Sequence, residues 1–291
     1  MKTTSPTPRH WLVLVLLAMI WGGSFLMIKK AVQVFSPLQM TAWRMFLALL
    51  IYAPVGLAYR DKIDWSKWKY YIAVAMFGSV IPNFMYSIAQ QHIGSGVAGA
   101  LNALTPIFTL VLGVAFFKMP YSHYKLAGVL LGWSGAAVLI LMNSHSSIHG
   151  NAGYAVLCAL ATIFYGLNAN FVNAHLRDGH PAGIAAASFI LTGPLFAGML
   201  WQSQGWQAVQ QHEHGWQALG YVFYLSAVST VVGSIVYFWL LQRTSALFAT
   251  SVTYLAPIMA LFIGMLDGEG LAWTDIVGAA IILSGVYLAR K

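Results

Sequence analysis

About ten separate stretches of roughly twenty mostly apolar residues run through this chain of 291 residues. A helix needs about twenty such residues to cross the hydrocarbon core of a bilayer. Only helices and closed barrels satisfy their backbone polar groups in that environment. Charged residues make up 8% of the chain and hydrophobic residues 59%, a balance far from that of a soluble domain. The pattern therefore predicts an all-α integral membrane protein with ten transmembrane helices.

Short connections join the predicted spans, as expected for adjacent antiparallel helices, and the longest runs from Gln202 to Gly215. Residues 1–10 form a short N-terminal tail. The apolar run after it is too long for a typical signal peptide, so we expect it to be retained as the first helix. The spans cover residues 11–32, 38–58, 70–90, 95–117, 122–142, 152–173, 182–201, 216–239, 246–266 and 272–290.

The second five spans look like a diverged copy of the first five. Landmarks recur at a shift of 144 residues early in the copies and 151 later: Trp21-Gly22 as Tyr165-Gly166, Ser36-Pro37 as His180-Pro181, Gln91 as Gln242, and Pro106 as Pro257. We predict a first repeat over 11–142 and a second over 152–290. Because each repeat has an odd number of spans, the second copy would be inverted in the bilayer.

Inverted repeats are the construction of many secondary transporters, which hold their substrate near the midplane where the copies meet. This pattern predicts transport of a small molecule. The spans use most of the length, which leaves no room for a separate soluble domain. The formal charge of +8 is scattered over short loops, so no nucleic-acid partner is expected. The single cysteine, Cys158, excludes an intrachain disulfide.

The distribution of lysine and arginine predicts the orientation. With the N-terminus in the cytoplasm, only Lys29 and Lys30 lie on the opposite side, and Arg44 lies within a span. We therefore expect a multi-pass protein of the bacterial inner membrane with both termini in the cytoplasm. The remaining basic residues then all lie on the cytoplasmic side: Lys2, Arg9, Arg60, Lys62, Lys67, Lys69, Lys118, Lys125, Arg177, Arg243, Arg290 and Lys291.

The acidic residues fall in loops or at the ends of the predicted spans. A proton-driven pump usually keeps a carboxylate inside the membrane, because such a group is costly there and is retained for ion movement. Because no span contains such a carboxylate in its interior, the remaining mechanisms are facilitated diffusion, exchange, and coupling through another group. The seven acidic residues are Asp61, Asp64, Asp178, Glu213, Asp267, Glu269 and Asp275.

Four motifs resemble those of a known family: Trp21-Gly22-Gly23-Ser24-Phe25, Ala42-Trp43-Arg44-Met45-Phe46, Leu104-Thr105-Pro106-Ile107-Phe108-Thr109 and Leu255-Ala256-Pro257-Ile258-Met259-Ala260. With the five-plus-five pattern, they make almost the whole chain resemble the EamA-type branch of the drug/metabolite transporter superfamily. The resemblance implies export of amino acids or other small metabolites. It also implies a central cavity enclosed by spans one, three, four, six, eight and nine. The family often has glutamate after spans four and nine, whereas this chain has Lys118 and Glu269.

Polar and aromatic side chains at matching places in the two copies are the candidates for substrate binding. Polar groups are disfavoured in hydrocarbon unless they face protein or water, so they are expected to point inward. The alternative is that they only join helices by hydrogen bonds. Such a set suits a small amphipathic solute. The candidates are Trp21, Ser24, Asn83, Tyr86, Asn102, Tyr165, Asn168, Ser234, Tyr237, Thr253 and Tyr254.

Three further positions are singled out within the spans. Pro106 and Pro257 each remove a backbone donor, and the resulting bend is either a hinge for alternating access or a static kink. Arg44 is the only charged residue well inside a span. It is either an anchor for a substrate carboxylate or a long side chain that reaches head groups or backbone carbonyls.

No catalytic residue, metal site or cofactor is expected. The pair His145 and His149 and the cluster His212-Glu213-His214 lie in polar loops without cysteine ligands. We expect an exporter or exchanger of a small amphipathic metabolite, with amino acids and related compounds favoured. One alternative is a transporter of phosphorylated or nucleotide-linked sugars, which would need several basic cavity residues. The other is an integral-membrane enzyme or scaffold. Both a monomer and a homodimer are compatible with the sequence.

Overall fold

The computed structural model describes residues 6–93, 95–120, 122–142, 152–266 and 273–289. Within these ranges all regular secondary structure is helical. Six helices in this part of the chain are long and apolar enough to cross a membrane, judged by length and composition. The prediction of an all-α fold is therefore confirmed, and the number of ten crossings stays a prediction.

The names first repeat and second repeat are kept here for the predicted ranges 11–142 and 152–290. The helices of the first repeat include one irregular helix and one broken helix. Helix α3 passes through a π-helical segment at Met76–Val80, and α4 is interrupted between Asn102 and Thr105. The bounds are α1 Pro8–Ala31, α2 Pro37–Ala58, α3 Trp68–Ala75 with Met76–Val80 and Ile81–Ala89, α4 Ser95–Asn102 with Thr105–Phe116, and α5 His123–Met142.

The helices of the second repeat show the same two irregularities in α8 and α9. Helix α8 has a π-helical segment at Leu225–Val232, and α9 is interrupted at Ser251. The bounds are α6 Ala152–His175, α7 Pro181–Gln202, α8 Gly215–Tyr224 with Leu225–Val232 and Gly233–Arg243, α9 Ala246–Thr250 with Val252–Leu266, and α10 Trp273–Ala289.

The stretch from Gln202 to Gly215, expected to be a plain loop, contains a short helix at Gly205–Gln211. Gln204 precedes it in a left-handed conformation, with φ of 53°, which turns the chain sharply after α7. The indole Nε1 of Trp43 on α2 donates to the carbonyl oxygen of Gly205 at 3.1 Å. This connecting helix is thus fixed to the body of the protein, and the loop prediction was wrong there.

The start of α2 is set by local sequence. The Ser36 hydroxyl accepts from the Gln39 backbone N–H at 3.3 Å, and the Gln39 side chain accepts from the Ser36 N–H at 3.0 Å. This capping box satisfies donors that the first helical turn leaves free. Pro37 fits the first turn because that position needs no N–H. The repeated His180-Pro181 starts α7 in the same way but has no side-chain cap.

The helices pack in pairs that connect the two repeats. Helix α2 packs against α7, and α5 packs against α10. Helix α1 packs against α9, while α4 packs against α6. Helix α3 lies against α6 and α7, and α8 lies against α1 and α2. Each of these pairings therefore has a counterpart under exchange of the two repeats.

The outer surface carries large apolar side chains that are mostly exposed. Leu57, Phe116 and Trp201 are 71%, 75% and 89% exposed. Exposed apolar area of this extent is unusual on soluble monomers and typical of surfaces that contact a partner or a membrane. Buried hydroxyl and amide groups lie on the inner faces of the same helices. This inside-out polarity is expected for helices surrounded by lipid.

Candidate functional site: a central polar cavity

A cavity of about 110 Å³ lies between the two repeats. A single water needs roughly 10–15 Å³ by the same measure, so the space holds several waters or part of a small solute. The described wall residues belong to α1–α4 and α6–α9. Helices α2 and α7, which the family resemblance leaves out of the enclosure, therefore contribute to it, through residues such as Arg44 and Ser188.

The structure places ten of the eleven candidate residues on the cavity wall. Their roles in substrate binding stay a prediction, because the wall position alone does not test binding. The ten are Trp21, Ser24, Asn83, Tyr86, Asn102, Tyr165, Asn168, Ser234, Tyr237 and Thr253.

Tyr254 is the exception, and it lies outside the cavity wall. Its hydroxyl donates to the carbonyl oxygen of Val129 on α5 at 3.1 Å. A methyl group at Gly132 would lie 2.8 Å from the tyrosine Cζ, so the ring occupies the space that this glycine leaves. A buried tyrosine can thus satisfy its hydroxyl on the backbone of a neighbouring helix, and a role for Tyr254 in substrate binding stays a prediction.

On one side of the cavity, α1 is joined to the π-helical segment of α8. The Trp21 indole Nε1 donates to the carbonyl oxygen of Ser229 at 3.1 Å, and the Ser24 hydroxyl donates to the Ser229 hydroxyl at 2.8 Å. The Trp21 ring lies 5.3 Å from the Tyr237 ring. An indole, a phenol and two hydroxyls thus form one continuous surface.

Elsewhere on the wall, aromatic rings from α3 and α6 meet next to the break in α4. The rings of Tyr86 and Tyr165 stack with centroids 6.3 Å apart and planes 25° apart. The Tyr86 hydroxyl donates to Asn102 Oδ1 at 3.3 Å. These partners fix the ring of Tyr86, which is 2% exposed, facing the cavity.

Asn168 on α6 is buried, and its Oδ1 has no hydrogen-bond partner. It lies against Gly78 in the π-helical segment of α3, where a methyl group would come within 2.6 Å of its Nδ2. The residue at the repeat-related position in α8 is Ser229. Both π-helical segments thus line the cavity at matching places. Such segments are frequent at functional sites.

Arg44 on α2 turns into the cavity and does not reach the head groups. Its side chain is 6% exposed. The Nε–H donates to the Thr230 hydroxyl at 3.0 Å, and the terminal NH2 donates to the Ser229 hydroxyl at 3.4 Å. Its repeat counterpart, Ser188, also lines the cavity and donates to its own helix at Ile184. One half of the cavity is therefore cationic and the other is neutral.

The two prolines occupy different structural settings. Pro106 follows the break in α4, and the Thr105 hydroxyl donates to the Asn102 carbonyl at 2.8 Å. This bond replaces the donor that Pro106 lacks. Pro257 lies inside a continuous helix, and the interruption of α9 is six residues earlier, at Ser251. A bend at Pro257 and a hinge role for either proline stay predictions.

At the end of the molecule that carries the basic loops, α8 is joined to the chain that follows α6. The Gln242 amide Nε2 donates to the carbonyl oxygens of Leu176 and Gly179 at 3.1 and 2.7 Å. Nearby, His180 stacks on Tyr59 with centroids 4.4 Å apart. Burial lowers the pKa of His180, and neighbouring Lys62 lowers it further, so the ring is neutral at pH 7.

Six polar wall residues were not among the candidates for substrate binding: Ser79, Thr105, Ser188, Ser229, Thr230 and Thr250. The hydroxyl-rich run Ser226 to Thr230 was the available signal, since such residues are disfavoured in lipid. Among the described residues no group of three or more His, Cys, Asp or Glu could hold a metal ion. His145, His149 and Glu269 lie outside the described residues.

Comparison with known proteins places this architecture among transporters. The model of the EamA-like transporter family matches residues 9–141 and again residues 153–290. An uncharacterized transporter of Archaeoglobus fulgidus is 24% identical over 97% of this chain and 99% of its own length. The uncharacterized inner membrane transporter YedA of Escherichia coli is 25% identical over 94% of this chain and 87% of its own.

Two further similarities bear on substrate and fold. A protein of Salmonella typhimurium named a probable amino-acid metabolite efflux pump is 23% identical, over 94% of this chain and 92% of its own length. One crystal structure of a protein superposes with a TM-score of 0.70 at 15% identity, over 95% of this chain and 94% of that chain. At that identity the likeness shows the fold alone.

Proposed function

The chain belongs to the EamA-like transporter family, and on this premise we propose that it exports or exchanges a small amphipathic metabolite by alternating access. The favoured substrates are amino acids and related compounds. The observation that carries the proposal is the cavity, whose wall is polar and aromatic and is drawn from both repeats. Sites for small ligands combine apolar and aromatic surface with a few placed polar groups.

Two features support a pair of inverted five-helix repeats. The family model matches the chain twice, over ranges of similar length. The packing partners also exchange between the repeats: α1 with α9 corresponds to α6 with α4, while α2 with α7 and α5 with α10 each correspond to themselves. Such exchange is expected when a pseudo-twofold axis relates the repeats, and in transporters that axis often lies in the membrane plane.

An asymmetry between the repeats supports alternating access. Gln242 ties α8 to the chain after α6 through Leu176 and Gly179. The repeat equivalents are Gln91, Val32 and Phe35, yet the Gln91 side chain is exposed and makes no such bonds. We call the Gln242 contacts the cytoplasmic latch. In the proposed cycle the cytoplasmic latch opens when Gln91 forms the equivalent hydrogen bonds, to Val32 and Phe35, at the opposite end of the protein.

The cavity chemistry favours amino acids over the rival substrate class. Stacked tyrosines, an indole and amides suit a solute with an apolar part and polar ends. Phosphorylated or nucleotide-linked sugars carry two or more negative charges, whereas Arg44 is the only cation among the described wall residues. The name of the Salmonella relative points in the same direction.

The proposed orientation places both termini and the Gln242 end in the cytoplasm of a bacterial inner membrane. It is supported by the bias of lysine and arginine towards that side. The family and the named relatives are transporters, which disfavours the rival reading as an enzyme or scaffold.

A two-stage experiment tests the proposed function. Purified protein is first screened by thermal shift against amino acids, nucleosides and quaternary amines. The class that stabilises the protein saturably is then offered, radiolabelled, to proteoliposomes. We expect stabilisation by amino acids and saturable solute movement. Chemical turnover without movement would contradict the proposal, as would movement of sugar phosphates alone.

A further inference from the structure

Arg44 is a buried cation whose protein partners are all neutral. Its guanidinium bonds only to the hydroxyls of Thr230 and Ser229. The only ion pair among the described residues joins Arg60 to Asp61 at the surface. The acidic side chains whose placement is described, at Asp61, Asp64, Asp178 and Glu213, are all exposed and lie between the spanning helices.

The guanidinium has donors left over. It carries five N–H groups in a planar fork, and two of them are used by the hydroxyls. The rest make no hydrogen bond to described residues, and Arg44 forms part of the cavity wall. A planar fork with free donors matches a carboxylate, which it binds through two parallel hydrogen bonds.

Resting on the proposed function, we propose that Arg44 is the docking site for the carboxylate of the transported solute. An ion removed from water without a counter-ion carries a large desolvation penalty, and an incoming carboxylate offsets it. A single cation matches the one negative charge of a carboxylate better than the higher charge of a phosphate. The solutes selected at this site are therefore monocarboxylates, including zwitterions.

Other parts of the cavity wall provide for the rest of such a solute. Asn168 Oδ1 is a buried acceptor without a partner, which suits an ammonium group. The ring faces of Tyr86 and Tyr165 suit a cation or an apolar side chain. No described wall residue is acidic. Recognition of a solute's ammonium group thus depends on neutral side chains. Only its carboxylate meets an opposite charge on the described wall, that of Arg44.

The opposing interpretation is that Arg44 is a brace between α2 and the π-helical segment of α8. A brace and a docking site differ in what they predict for matched ligands. If Arg44 only braces the fold, removing it weakens binding of every solute equally. If it docks a carboxylate, removing it weakens carboxylates alone.

The test measures binding of four probes with one ring to the full-length protein in detergent, by calorimetry. L-Phenylalanine and 3-phenylpropionate have a carboxylate, and phenylalaninamide has none. Phenyl phosphate carries a phosphate group in place of the carboxylate. We expect wild-type protein to bind the two carboxylates about tenfold or more tightly than the amide. In Arg44→Gln the carboxylates fall to the level of the amide, whose affinity is unchanged. Arg44→Lys keeps a charge without the fork and retains part of the preference.

Arg60→Gln, which removes a surface arginine, is the matched control and should bind like wild type. If Arg44→Gln does not fold, the carboxylate and amide affinities of wild type and Arg44→Lys still test the docking site. Equal binding of amide and carboxylate by wild type would overturn the docking site, as would equal loss of all probes in Arg44→Gln. Preference for phenyl phosphate would overturn the choice of carboxylate. These failures leave transport of another solute intact, whereas binding and movement of no solute at all would refute the proposed function.

Discussion

Replacing Gln242 with leucine should shift the protein towards the conformation that opens at the cytoplasmic end. Leucine keeps the approximate size of the side chain but cannot donate to the carbonyls of Leu176 and Gly179, which Gln242 contacts at 3.1 and 2.7 Å. Those bonds exist in the conformation described above. Their loss therefore destabilises this conformation relative to the alternative, in which the latch is open.

The size of the shift follows from the two bonds. Hydrogen bonds inside membrane proteins are worth about 0.6 kcal/mol each on average, so the loss is roughly 1.2 kcal/mol. That corresponds to a change of about eightfold in the ratio of the two conformations. Gln91→Leu is the matched variant in the other repeat. Gln91 makes no such bonds in this conformation, so its replacement should shift the ratio in the opposite direction.

The assay is the distance between spin labels on cysteines introduced at Asp178 and Arg243, at the ends of α6 and α8. Cys158→Ser removes the only native cysteine. In double electron–electron resonance, Gln242→Leu should increase the population of the longer distance and Gln91→Leu should decrease it. If both variants shifted the distance distribution in the same direction, or if neither shifted it, the proposed alternation between the Gln242 and Gln91 contacts would be refuted.

Three further changes have expected outcomes. Gly78→Ala places a methyl group 2.6 Å from Asn168 Nδ2, so it should lower proteoliposome flux while membrane abundance is maintained; unchanged flux would remove Asn168 from the site. Gly285→Ala brings a side chain onto the backbone of Gly132 and should lower the thermal midpoint, at a cost of roughly 1–3 kcal/mol; an unchanged midpoint would refute the close packing of α5 on α10. Because burial depresses the pKa of His180 in the fold, its stabilising contribution is lost as pH falls below about 6.5. His180→Phe should therefore lose less thermal stability than wild type between pH 7 and pH 5, and equal losses would contradict this.

The hydrophobic pattern predicted the helices well, because membrane spans must be long, apolar and fully hydrogen-bonded. Repeat symmetry combined with polarity located the cavity wall for the same reason: Asn83 and Asn168 are tolerated only where they face protein or water. Tyr254 fits the same pattern, but its hydroxyl bonds to a carbonyl of α5. A sequence does not distinguish these two ways of satisfying a buried hydroxyl.

Other features had no readable signal. A π-helical segment depends on one extra residue in a helical turn and on the packing around it. The residues Met76–Val80 therefore do not predict the segment that they form. The break in α9 lies at Ser251 and not at Pro257, since the tertiary packing decides where a helix yields. The connecting helix Gly205–Gln211 depends on a contact with Trp43, more than 160 residues earlier.

Measuring solute flux tests most directly whether the central cavity carries the transported solute. Proteoliposomes containing wild type, Tyr86→Ala or Tyr237→Ala are compared for saturable movement of a radiolabelled amino acid at equal protein content. Trp201→Ala, whose side chain is 89% exposed on the outer surface, is the matched aromatic control. We predict that flux falls in both tyrosine variants and persists in the control. Wild-type flux in both tyrosine variants would contradict it.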